Sequence, residues 1–186
     1  MRLCLAQALG PFTIEMWERL PADGNRYELL DGELVVTPMA QPPHQIVVGR
    51  MTTRLATYLE AHRAGVAWPG GDVFFDRHNV LEPDVIAAVG ADALKLRRWK
   101  DLPDPALAVE VLSPSSARYD RGRKREKHLE RAAEYWIVDI ESRLVEVWRP
   151  GDDRPLVVRE RLAWQPRLDL PPLEIALADL FAGLPD

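Results

Sequence analysis

Apolar residues along this chain first alternate, then recur every three or four positions, then run almost unbroken, and each pattern predicts a different element. Tyr27-Glu28-Leu29-Leu30 and Glu33-Leu34-Val35-Val36 flank Asp31-Gly32, a pair suited to the two-residue turn of a β-hairpin. A short helix is expected before it, over Thr13 to Leu20. After Pro42-Pro43, the positions Val47, Val48, Met51, Leu55, Tyr58 and Leu59 recur at helical spacing, predicting a long helix from His44 to about His62. Short strands follow at Val66 to Trp68, Asp72 to Phe75 and Asp84 to Val89, parted by Gly70-Gly71 and by a polar turn through Arg77, His78 and Asn79.

Ala106 to Leu112 is a nearly continuous apolar run, the pattern of a strand buried on both faces of a sheet. Ser113-Pro114-Ser115-Ser116 ends it, Asp120 to Ala133 reads as a basic helix, and Tyr135 to Ile140 as a second buried strand. Strand, helix and strand in that order predict a βαβ crossover and an α/β fold. Arg143 to Trp148 and Leu156 to Leu162, parted by Pro150-Gly151-Asp152-Asp153, read as antiparallel edge strands, and Leu173 to Leu184 as a strand piece and a short helix. No shift in composition marks a linker, so residues 1–186 are expected to form one domain.

Composition narrows the class. With 47% hydrophobic and 28% charged residues, the chain is too apolar to stay disordered. Cys4 is the only cysteine, which excludes an intrachain disulfide and suits a reducing compartment. The start Met1-Arg2-Leu3-Cys4-Leu5-Ala6 resembles a leader, but its apolar run breaks at Gln7, and a cytoplasmic protein with no membrane insertion is expected. The net charge of −5 argues against coating nucleic acid through overall positive charge. Any such contact must be local, and the candidate is the segment Arg118 to Arg131, with seven basic residues against three acidic ones. Its plainer reading is a solvated helix face laced with ion pairs.

Glu110 is the informative residue. A lone carboxylate inside an apolar strand costs several kcal/mol unless it is paired, protonated or bound to a metal. Asp84, after Pro83 at the start of another apolar strand, could meet it at one end of the sheet. Two such carboxylates suit Mg²⁺ or Mn²⁺, hard ions that take one or two carboxylates and keep several waters; an ion pair with Arg97 or Arg98 is the structural alternative. A nearby lysine would complete hydrolytic chemistry on a phosphodiester by orienting or deprotonating water and neutralising the transition state. Lys124 is one turn past Asp120 on the segment after Glu110, although Arg123, Arg125 or Lys127 could equally turn inward. His44 opens the long helix and could bond a substrate phosphate or a metal-bound water, or simply cap the helix. Glu33, in the hairpin with Glu28, is a possible third acid, and Asp120 an accessory acid or a helix cap.

The ordered set Tyr27-Glu28-Leu29-Leu30-Asp31-Gly32-Glu33-Leu34, His44, Pro83-Asp84-Val85, Val109-Glu110-Val111-Leu112-Ser113-Pro114-Ser115, Tyr119-Asp120 with Lys124, and Glu134-Tyr135-Trp136-Ile137-Val138-Asp139 resembles the Uma-type endonuclease family of the PD-(D/E)XK nuclease superfamily. The resemblance spans roughly Thr13 to Pro150. It implies a restriction-endonuclease-like mixed sheet flanked by helices, with Asp84 and Glu110 as metal ligands. It also implies that Lys124 replaces the superfamily's usual lysine, whose place two residues after the acid is taken by Leu112. Two departures concern the basic segment: His128 stands where the family commonly has Tyr, and Arg131-Ala132-Ala133 where it commonly has Gly-Val-Pro.

Three functional classes are therefore expected to compete. The first is a Mg²⁺-dependent endonuclease acting on nucleic acid, DNA foremost, as a homodimer. The second is a catalytically silent nuclease-like fold used for binding or oligomerisation. The third is a carboxylate-pair hydrolase of sugars, disfavoured because no aromatic platform flanks either acid in sequence.

Overall fold

The computed structural model describes residues 10–37, 39–113 and 117–185. Cys4, the apolar start of the chain and Pro114-Ser115-Ser116 lie outside them. In chain order the elements begin with α1 (Ile14–Trp17), β1 (Arg26–Leu30), β2 (Glu33–Thr37), α2 (Pro42–Ala61), β3 (Gly65–Pro69), β4 (Val73–Asp76), β5 (Asn79–Leu81) and β6 (Val85–Val89). They continue with β7 (Leu107–Val111), α3 (Ala117–Asp120), α4 (Arg123–His128), β8 (Tyr135–Asp139), β9 (Leu144–Trp148), β10 (Leu156–Val158), β11 (Arg161–Trp164), β12 (Leu173–Ala176) and α5 (Leu177–Leu180).

The Asp-Gly turn forms as its chemistry dictates. Asp31 and Gly32 have φ of +51° and +75°, and Leu30 pairs with Glu33 across them. β5 occupies part of the expected polar turn, because the Asn79 amide donates to Asp76 and its carbonyl accepts from the Asp31 N–H, which satisfies a buried polar residue. The hairpin thereby extends into a four-stranded sheet of order β2-β1-β5-β4.

The main sheet has the order β10-β9-β8-β7-β6-β3, with β7 and β8 parallel and every other pair antiparallel. It is the mixed sheet expected, with the βαβ crossover at its centre. One face is covered by α2, whose Val47, Met51, Leu55 and Leu59 form a fully buried stripe against Val85, Ala87, Val109, Val111, Trp136 and Val138. Each such side chain contributes roughly 1.5–3 kcal/mol by leaving water. α2 starts two residues before the expected His44, since Pro42 and Pro43 are pre-organised for the first helical positions.

Two expected elements are divided. The continuous basic helix over Asp120 to Ala133 does not form. Gly122, at φ −107° and ψ −114°, separates α3 from α4, and the Ala133 N–H leaves the helical ladder to bond Pro105 O at 3.0 Å. Leu156 to Leu162 likewise splits at Arg159-Glu160. β10 stays on the main sheet while β11 pairs with β12, where alternation sends Leu162 and Trp164 into the α2 core.

The β3–β6 pairing depends on Gly65, opposite Val89. A methyl at this position would overlap the Ala88 carbonyl oxygen and lie 2.9 Å from Val89 Cα. Gly65→Ala is therefore expected to destabilise the protein by about 2 kcal/mol or more, the cost of overpacking against backbone. Chemical denaturation of the two proteins would read this as a lower midpoint at unchanged slope.

Candidate active site

Val85 pairs with Val109 in the β6–β7 register, so continuing the register by one step places Asp84 opposite Glu110. Val85 and Val109 point into the α2 core, and alternation turns their two acidic neighbours to the other side of the sheet end. Both acids are buried, at 5% and 2% exposure.

Asp84 is held from three directions. Arg26 Nη2 lies 2.6 Å from Oδ1, while Oδ2 accepts from the Val111 N–H at 2.8 Å and meets His44 Nε2 at 3.0 Å. Burial alone would push the Asp84 carboxyl up, but His44, Arg26 and the Val111 N–H outweigh it and hold it below the usual range. A carboxylate can only accept, so His44 Nε2 is the protonated nitrogen toward Asp84. Burial opposes the charge on His44 too; the hydrogen bond to Asp84 and its charge prevail and raise the imidazole above its ordinary value.

Glu110 Oε1 faces Lys124 Nζ at 3.4 Å and His128 Nε2 at 3.7 Å. Lys124, at 4% exposure, is surrounded by carboxylates: Glu28 at 2.6 Å, Glu110 at 3.4 Å and Asp120 at 3.5 Å. Burial disfavours its charge, but Glu110, Glu28 and Asp120 together raise it well above the ordinary lysine value. Lys124 is thus an ammonium ion, suited to neutralising charge and orienting a nucleophile rather than to taking a proton. The ring of His128 is buried between Phe75 and Tyr135, stacked on the latter at 5.1 Å.

Asp84, Glu110, Lys124 and His44 therefore converge, and Asp120 joins them through Lys124. Asp120 ends α3 and faces Lys124 one turn on, and the N-cap position of α4 is taken by Gly122. Glu33 does not join. It is exposed and bonds Arg123 Nη1 at 2.9 Å, whereas Glu28 is fully buried and its Oε1 accepts from the Glu82 N–H at 2.9 Å. No signal in the sequence separated Glu28 from Glu33, since β1 carries two charged residues, Arg26 and Glu28, on the same side.

The surrounding cleft is acidic. Burial, with Asp72, Glu28 and Glu110 nearby, pushes Glu82 up to about 7 against the pull of Arg26, and burial with Glu28 pushes Asp72 up to about 6. A pocket of about 240 Å³ opens beside Asp84, lined in part by Arg26, His44, Gln45 and Glu82. Among the described residues no group of three or more His, Cys, Asp or Glu side chains is arranged to enclose a metal ion. Even so, two adjacent carboxylates are a sufficient donor set for an ion that keeps most of its water. Asp84 and Glu110 are the residues that could hold it.

The basic segment does not present its charge outward as a free patch. Arg121 is paired with Asp139 and Glu146, Arg123 with Asp31 and Glu33, Lys127 with Asp76 and Glu130, and Arg131 with Asp104. Arg125 pairs with Glu126 and lies over the Trp148 ring, 4.2 Å from its centroid. No described helix is long and apolar enough to cross a membrane.

The model of a family described as "Putative restriction endonuclease", Uma2, matches residues 14–179. An uncharacterised protein of Synechocystis sp. is 24% identical over 173 residues, covering 91% of this chain and 88% of its own length. A crystal structure described as that of a putative nuclease from Anabaena variabilis matches with a TM-score of 0.76 at 18% identity, over 92% of this chain and 98% of that one. The two share one fold, the restriction-endonuclease-like one. The family match takes in both sheet-end acids, Lys124 and nearly all of the folded chain, and the protein belongs to the Uma2 family.

Proposed function

We propose that this protein is a divalent-metal-dependent nuclease that hydrolyses phosphodiester bonds, with DNA as the first substrate to test. The observation that carries the reading is the pairing of two buried carboxylates, Asp84 and Glu110, at one end of the sheet, with the Lys124 ammonium against Glu110. Membership of the Uma2 family and the fold shared with a protein described as a putative nuclease support it. Asp84 and Glu110 would hold Mg²⁺ or Mn²⁺. The ion would supply Lewis-acid charge and an acidified water.

The protein's own groups do the rest. Lys124 sets positive charge beside Glu110, where negative charge grows on the phosphate in the transition state. His44 holds Asp84 in one orientation and sets its imidazole, whose affinity for a proton Asp84 raises, at the pocket wall within the same cleft. Substrate attraction comes from Arg26 and His44 in the cleft, since the basic residues from Arg121 to Arg131 are already paired. A homodimer would let two such sites address both strands of a duplex, and a cytoplasmic setting suits a chain with one cysteine.

A silent, nuclease-like binding module is the second reading, favoured by one observation: Arg26, His44 and Lys124 already compensate the two acids without any ion.

Calorimetric titration of Mn²⁺ separates the two. Binding is expected in the native protein, weakened roughly 10–100-fold or more in Asp84→Asn and Glu110→Gln, with folding checked by thermal melting. No binding in the native protein would establish the silent module. For cleavage, Lys124→Met is expected to lower kcat by about 100-fold or more. Lys127→Ala is expected to change it by less than about threefold, because its charge is paired with Asp76 and Glu130 and with neither sheet-end acid. Equal losses in the two variants would return the catalytic charge to the basic segment as a whole.

A further inference from the structure

We infer that Glu28 is the positioning residue for Lys124: the carboxylate of the first hairpin fixes where the ammonium ion sits relative to Asp84 and Glu110. This rests on the nuclease reading for its catalytic consequence, though not for its geometry.

Lysine carries its charge on a flexible four-carbon stem, and Lys124 projects from α4, a helix of only six residues preceded by Gly122. Such a helix is a poor platform by itself. Of the three carboxylates around the ammonium, Asp120 belongs to the same local segment, four residues earlier, and fixes Lys124 only relative to its own turn. Glu110 stands further off, at 3.4 Å, and is shared with the candidate ion site. Glu28 is nearest, at 2.6 Å, and differs from both in its support.

That support is rigid. β1 lies between β2 and β5, paired on both sides, so the Glu28 backbone cannot drift. Its Oε1 accepts from the N–H of Glu82, two residues before Asp84, which leaves Oε2 to meet Lys124. A single carboxylate therefore joins the backbone segment that carries Asp84 to the side chain that carries the positive charge. With Glu28 at 0% exposure, neither water nor a surface ion competes for this contact. The hairpin is in this sense part of the site, since Glu28 acts on it through Lys124.

The test uses the full chain labelled with ¹³C and ¹⁵N at lysine and glutamate, together with Glu28→Gln, Lys124→Met and the double variant. The Lys124 side-chain resonances, identified by their loss in Lys124→Met, are expected to shift in Glu28→Gln, with faster hydrogen exchange of the ammonium. Cleavage of single- and double-stranded DNA with Mn²⁺ is expected to show kcat lowered roughly 10–100-fold in Glu28→Gln, as for removal of a supporting partner. KM and Mn²⁺ affinity should stay within about twofold, and the Glu28 substitution should add nothing once Lys124 is Met. Unmoved Lys124 resonances, a loss carried by KM, or additive losses in the double variant would each overturn the assignment. If Glu28→Gln fails to fold, the Glu28 carboxyl resonance in Lys124→Met decides, since it must move if the two groups are in contact. Absence of cleavage by every protein, the native one included, would reject the nuclease reading, while the resonances would still decide whether Glu28 holds Lys124.

Discussion

Four carboxylates, one lysine and two histidines lie below one-tenth exposure at the end of this sheet, and their mutual compensation is the constraint on which the site depends. An isolated buried charge would neutralise itself or unfold its surroundings, because its desolvation costs more than the net stability of a small domain can absorb. Here each acid meets a cation. Asp84 has Arg26 and His44, while Glu28, Glu110 and Asp120 share Lys124. Removing one partner from such a set is more damaging than replacing the whole set by apolar side chains, so each member of the network depends on the others being present.

The same compensation explains why the basic segment is not a simple landing strip for a polyanion. Its charges close the gaps between the two sheets and the crossover: Arg123 reaches the hairpin turn, Arg121 reaches β8 and β9, and Arg131 reaches the carbonyls of Phe74 and Leu102. These contacts dock the four-stranded sheet and the crossover against the main sheet. The charge from Arg121 to Arg131 is thus committed to contacts within the fold, and the acid Glu82 lines the cleft beside Asp84.

Sheet geometry supplies the precision. Antiparallel register sets Asp84 against Glu110 without help from loop conformation, and the parallel β7–β8 pair requires the crossover that carries Lys124 back over the same end. α2 adds His44 from its first turn, because its buried stripe locks the helix axis along the other face.

The sequence by itself determined the elements and the identity of most of the site. Helical periodicity from Val47 to Leu59, the Asp31-Gly32 turn and the apolar runs around Glu110 and Trp136 are local signals, written in spacing and backbone preference. A charge inside an apolar strand is equally local, which is why Glu110 was legible from spacing alone. Lys124 was legible only with the ordered motifs beside it, since its basic neighbours carry the same local signal. Only tertiary structure decided which hairpin acid turns inward, Glu28 and not Glu33, and that Arg26 neutralises Asp84 from 58 residues away. It also decided that Gly122 divides the basic segment and that Arg121, Arg123 and Lys127 are paired with partners on other elements. Ion pairing is blind to sequence separation: Coulomb attraction and desolvation depend on which groups the packed sheets bring within a few ångströms, and no periodicity along the chain records that distance.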